Sequence, residues 1–85
     1  MPSAEFESAA NAVQSLPNKP GDQDLLKLYG LYKQATVGDN DTPKPGMLDF
    51  KGKMKWQAWE DRKGMSQADA EQAYIAFVKE LQERA

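Results

Sequence analysis

Tyr29-Gly30-Leu31-Tyr32-Lys33-Gln34-Ala35-Thr36-Val37-Gly38-Asp39 is the stretch on which the reading of this chain turns. It begins as a helix and places two tyrosines and a lysine within one turn of each other. It stops at Gly38, a residue suited to the left-handed conformation that ends helices. A second cluster lies downstream in Lys51, Lys55, Trp56 and Trp59, with Lys51 and Lys55 spaced i, i+4. Residues three or four apart share a helix face, so each cluster can set cations beside aromatic rings. Such faces suit an anionic, partly aromatic ligand.

Working outward, Asp22 is expected to cap this helix, with Asp24 in its first turn. Leu25, Leu28, Tyr29, Tyr32 and Ala35 then form one face, flanked by Leu26, Gly30 and Lys33. Asp39 to Met47 (DNDTPKPGM) reads as a loop, because two prolines and a glycine among Asn and Asp forbid a regular element. It is long for a helix connection, so the helices on either side need not be antiparallel neighbours, and a bundle other than simple up-down-up-down is implied. Asp49 caps a third helix from Phe50 to about Arg62, ended by Gly64. Gly52 costs that helix about 1 kcal/mol relative to Ala, so packing must hold it.

Toward the N-terminus, Ser3 can cap a first helix with Glu5 and Glu7 in its first turn. Phe6, Ala9, Ala10, Val13 and Leu16 recur at helical spacing, and Pro17 ends the run. Toward the C-terminus, Ser66 opens a fourth helix with Asp69 as its capping-box partner. Ala70, Ala73, Tyr74, Phe77, Val78 and Leu81 give the cleanest amphipathic stripe in the chain. The expected fold is an all-α four-helix bundle with a long connection between helices 2 and 3, a single domain over residues 1–85.

Composition narrows the chemistry. The chain has no cysteine and no histidine, so it has no disulfide staple, no thiolate metal site and no imidazole general base. No apolar run is long enough to span a membrane, and Met1-Pro2-Ser3-Ala4-Glu5 lacks the basic start and apolar core of a signal peptide. A cytoplasmic protein is expected. The net charge of −2 is unevenly placed: residues 27–63 carry eight basic against five acidic side chains, while both flanking segments are acidic. A basic centre between acidic ends suits a local anion site and argues against nucleic acid, which needs a broad basic footprint.

At these residues the sequence also resembles a known family. Tyr29 to Asp39 (YGLYKQATVGD), Pro45 to Lys53 (PGMLDFKGK) and Lys55 to Trp59 (KWQAW) are together similar to the acyl-CoA-binding proteins, and the resemblance runs from Phe6 to Leu81. It implies a bundle that binds medium- to long-chain acyl-CoA esters without transforming them, an intracellular carrier and buffer needing no metal or cofactor. Residue by residue, it implies that Tyr29, Lys33 and Lys55 hold the ribose 3′-phosphate. Tyr32 would stack on adenine, Tyr74 would make a further head-group contact, and Lys51 would belong to the basic rim. Phe6, Ala9, Ala10, Leu25 and Leu26 would surround the acyl chain. Gln14 stands where many members carry Lys or Arg at the head group. The resemblance further implies a monomer, with room for transient contact with membranes or acyl-CoA-using enzymes.

Two other readings compete. A hydrolase or transferase would need an activated nucleophile, yet Ser3, Ser8, Ser15 and Ser66 have no histidine to activate them, and Ser3 and Ser66 read as caps. The expectation is therefore of no enzyme. A helical interaction module could instead dock an acidic peptide on the aromatic and basic face. Trp56 and Trp59 read as core or groove wall, and Lys27 and Met54 carry no assigned role.

Overall fold

The computed structural model describes residues 3–84, so Met1, Pro2 and Ala85 of the expected 1–85 domain lie outside the described residues. Its helices are α1 Ala4–Val13, α2 Asp22–Thr36, α3 Phe50–Glu60 and α4 Gln67–Arg84. There is no strand among the described residues.

The helix ends follow local chemistry. Ser3 Oγ accepts the Phe6 N–H at 3.1 Å, Asp49 Oδ1 accepts the Gly52 N–H at 2.9 Å, and Ser66 Oγ accepts the Asp69 N–H at 3.0 Å. Each satisfies one orphan donor of a first turn. The start of α2 differs from expectation. Gly21 is its cap and makes no side-chain bond, while Asp22 is already helical and acts through its charge in the first turn. Gly38, at φ 100°, ends α2 by donating to the Lys33 and Gln34 carbonyls at 3.3 and 3.1 Å.

Two helices stop earlier than their apolar patterns suggest. Past Val13 the chain tightens into i→i+3 bonds, Gln14 to Asn11, Ser15 to Ala12 and Leu16 to Val13. Leu16 precedes Pro17, whose ring disfavours helical backbone there. After Glu60, similar bonds from Arg62 to Trp59 and Lys63 to Glu60 lead to Gly64 at φ 92°.

Contacts fix the directions. Asp24 pairs with Arg84 at 3.3 Å near one end of α2, and Gln34 Nε2 donates to the Met65 carbonyl at 2.7 Å near the other, so α2 and α4 are antiparallel. The Ser3 N–H donates to Glu71 Oε1 at 3.0 Å, and the Phe6 and Tyr74 rings meet at 4.9 Å, so α1 and α4 run in the same sense. Tyr29 faces Lys55 and Lys33 faces Trp59, which makes α2 and α3 parallel. The order is up, down, down, up. Parallel neighbours require the connection to return the length of a helix, roughly 20 Å, which explains the long loop. Two indoles pin that loop: Trp59 Nε1 donates to the Gly38 carbonyl at 2.7 Å, and Trp56 Nε1 to the Thr42 carbonyl at 2.9 Å.

The core lies among α1, α2 and α4 and is built from Phe6, Leu28, Leu31, Ala35, Tyr74, Phe77, Val78 and Leu81. In α2 the single face expected from the sequence divides in two. Leu28, Leu31 and Ala35 are buried, whereas Leu25 and Tyr29 are half-buried and Tyr32 is exposed. Gly30, expected on the flank, is buried against α3, where a Cβ would strike the Ala58 carbonyl.

Two carboxylates join distant segments. Asp39 Oδ1 accepts the Gly64 N–H and Gln34 Nε2, each at 2.9 Å, and the Gly64 bond is the largest of the influences holding its pKa below the ordinary value, ahead of the Gln34 bond and the Lys63 charge. Glu71 is lowered by the backbone N–H of Ser3 and then by its hydroxyl. A depressed carboxylate stabilises the fold above its unfolded pKa, and that contribution is lost as pH falls through the folded value. Thermal unfolding is therefore expected to drop from pH 6 toward pH 3. Asp39→Asn should flatten part of that drop, measured by circular dichroism across the range.

Candidate functional site

The open face of α2 is the stripe Leu25, Tyr29, Tyr32 and Thr36, spaced i, i+4, i+7 and i+11 along one side of the helix. Its N-terminal half borders α3. There Leu25, Leu26 and Tyr29 meet Lys51, Met54 and Lys55 around a recess of about 220 Å³, with Asp22 at its end. Its C-terminal half borders α1, where Phe6, Ala10, Tyr32 and Thr36 line a second recess of about 300 Å³.

The lysines are seated on rings. Lys55 Nζ lies 5.6 Å from the Tyr29 ring centroid, and Lys33 Nζ lies 4.9 Å from that of Trp59. Each helix thus lends a cation to the other's aromatic residue, an exchange that depends on the parallel register. Such contacts are worth about 0.5–1 kcal/mol each at exposed sites. Among the described residues, the ion pairs join Lys63 to Glu60 and Arg84 to Asp24 and Glu80, so Lys33, Lys51 and Lys55 make no direct ion pair. The α2–α3 seam presents cations held in place and still available to an anion.

The aromatic end is built in layers. The Phe6 and Tyr32 rings stack at 5.6 Å with planes 24° apart, and Tyr74 tilts against both. Phe6 is 1 % and Tyr74 5 % exposed, whereas Tyr32 is 41 % exposed. Burial, and then Tyr32, pushes the Tyr74 hydroxyl above its usual pKa. Tyr32 is therefore a ring supported from beneath and offered to solvent, the arrangement a stacking base requires.

The expected site residues do not all converge. Tyr29, Lys51, Lys55, Leu25 and Leu26 surround one recess, and Ala10 and Tyr32 the other, with Phe6 as its floor. Lys33 joins them through Trp59. Tyr74 lies in the core under Tyr32. Ala9 is also a core residue, lining the opposite flank of α1 beside Ile75 and Val78 of α4. Gln14 is exposed at the α1 C-cap. The sequence reading missed Trp59 as the seat of Lys33 and Met54 as a wall of the first recess. Met54 was findable, since it lies one residue before Lys55 and three after Lys51.

The family model described as Acyl CoA binding protein matches residues 3–78. The chain belongs to the acyl-CoA-binding protein family. Among its relatives in that family, Acyl-CoA-binding protein 2 of Saccharomyces pastorianus is 62 % identical over 76 residues, spanning 89 % of this chain and 87 % of the relative. The Drosophila melanogaster acyl-CoA-binding protein homolog is 56 % identical over 81 residues, spanning 95 % and 94 %. The crystal structure of Oryza sativa Acyl-CoA-Binding Protein 2 superposes with a TM-score of 0.90 at 45 % identity, covering 94 % of this chain and 89 % of that one. The all-α four-helix architecture is thus shared with solved members of the acyl-CoA-binding protein family. Among the described residues, no group of three or more His, Cys, Asp or Glu side chains is placed to hold a metal ion.

Proposed function

We propose that this protein binds medium- to long-chain fatty acyl-CoA esters non-covalently and serves as their cytoplasmic carrier and buffer, acting as a monomer with residues 1–85 as one acyl-CoA-binding domain. The observation that carries this reading is the α2–α3 seam. Lys51 and Lys55 line a recess walled by Leu25, Leu26 and Met54, Lys55 stands on the Tyr29 ring there, and Lys33 stands on Trp59 one turn further along the seam. An acyl-CoA is anionic at one end and greasy at the other, and the seam offers both surfaces side by side. The printed names of the relatives support the same ligand.

In this reading Tyr29, Lys33 and Lys55 take the 3′-phosphate, Tyr32 stacks on adenine, and Lys51 belongs to the rim. Leu25 and Leu26 meet the acyl chain. Phe6 and Tyr74 act through Tyr32, whose ring they hold in place. The thioester leaves unchanged, because the chain contains no histidine to activate a serine, and Ser3 and Ser66 are engaged as helix caps.

Charge-assisted hydrogen bonds to phosphate are worth roughly 1.5–3 kcal/mol each. Each buried methylene adds about 0.8 kcal/mol, close to fourfold in affinity, until the recess is full. Free palmitate keeps the tail but lacks the phosphates, so calorimetry is expected to show it binding at least about tenfold more weakly than palmitoyl-CoA. Equal affinities would remove the lysines from the account.

A further inference from the structure

The Asp49 N–H donates to the Gly46 carbonyl at 3.1 Å and closes a turn just ahead of α3. Its two corner residues are Met47 and Leu48, 81 % and 89 % exposed. Turn corners ordinarily carry Gly, Pro, Asn, Asp or Ser, which suit both the backbone and water. Phe50 and Met54, one turn apart at the start of α3, are also exposed. Single apolar residues on a surface need no explanation, but four large ones on one turn and the helix it feeds form a patch.

The patch is flanked along the chain by cations. Between residues 44 and 55 stand Lys44, Lys51, Lys53 and Lys55 against a single carboxylate, Asp49, in a chain of net charge −2. Asp49 is turned onto the Gly52 N–H as the α3 cap, and Lys53 Nζ approaches the Met47 carbonyl at 3.5 Å. An apolar tip set among lysines complements a surface of anionic headgroups over hydrocarbon. An acidic protein would answer the lysines but would need a fitted pocket for Met47 and Leu48, whereas a bilayer needs none.

We propose that Met47, Leu48 and Phe50 insert into the interface of an anionic phospholipid membrane while Lys44, Lys51 and Lys53 meet its headgroups. The patch adjoins the α2–α3 recess, because Met54 belongs to both. A tail withdrawn from the bilayer at this point passes along protein instead of crossing water. That purpose rests on the acyl-CoA reading; the lipid contact itself does not.

The test is flotation of the ligand-free protein with phosphatidylcholine vesicles, with and without phosphatidylserine. The protein should float with the anionic vesicles alone, and less so as salt is raised. M47S/L48S/F50S should lower partitioning about tenfold or more, and K44Q/K53Q about fivefold per charge removed. All five residues are outside the proposed ligand site, so both variants should melt like the parent and give its palmitoyl-CoA titration in solution. Equal partitioning of the triple variant and the parent would overturn the proposal. So would a parent that ignores both vesicle types, and its patch would then pass to a protein partner. A parent that floats with anionic vesicles but gives no heat with palmitoyl-CoA would support the lipid contact and remove the carrier function.

Discussion

Replacing Lys33 and Lys55 together with alanine is expected to weaken palmitoyl-CoA binding by about a hundredfold or more, and each single replacement by about tenfold or more. Each ammonium loses a charge-assisted hydrogen bond of roughly 1.5–3 kcal/mol to a phosphate that Tyr29 helps to hold. Because both lysines reach the same phosphate in this reading, their effects need not add. The single variants therefore have to be measured beside the double one. Stability should respond far less, because each lysine gives up only a contact of about 0.5–1 kcal/mol with Trp59 or Tyr29. Calorimetry with a parallel thermal melt separates the two effects. A double variant that binds like the parent, or one that melts much earlier while retaining affinity, would assign these lysines to structure alone.

Gly30→Val is expected to lower the melting temperature by about 10–20 °C. A Cβ at Gly30 would collide with the Ala58 carbonyl, and the carbonyl is backbone within α3 that cannot swing aside. Forcing bulk into such a contact costs about 2–3 kcal/mol, which for a domain of this size corresponds to that temperature shift. Because α2 and α3 must then part, the Tyr29–Lys55 and Lys33–Trp59 pairings should loosen and acyl-CoA affinity should fall as well. A variant that melts and binds like the parent would mean that the two helices do not approach at Gly30.

What the sequence makes legible here is mostly local. Ser3, Asp49 and Ser66 announce their helices because capping involves only the next three residues. The α4 stripe is readable because its burial follows one helical period. The cation–aromatic pairs were visible only within each helix, as Tyr29 with Lys33 and Lys55 with Trp59. Their exchange across the seam depends on α2 and α3 lying parallel, and the loop from Asp39 to Met47 only permitted that arrangement.

Leu31 and Gln34 show the opposite limit. Both are nearly fully buried, but a glutamine is interior only because Met65 and Asp39, from other segments, accept its amide. Phe6 and Ala9 lie on an apolar helical stripe, and the family resemblance sets them around an acyl chain. The packing of α1 on α4 buries both, a consequence of helix direction that apolar spacing alone does not carry.

The most direct measurement compares palmitoyl-CoA with its 3′-dephospho analogue by calorimetric titration of the parent protein. The account predicts saturable one-to-one binding of palmitoyl-CoA and at least about tenfold weaker binding of the analogue, since one charge-assisted contact or more is lost. No saturable heat with palmitoyl-CoA, or indistinguishable affinities for the two ligands, would contradict it.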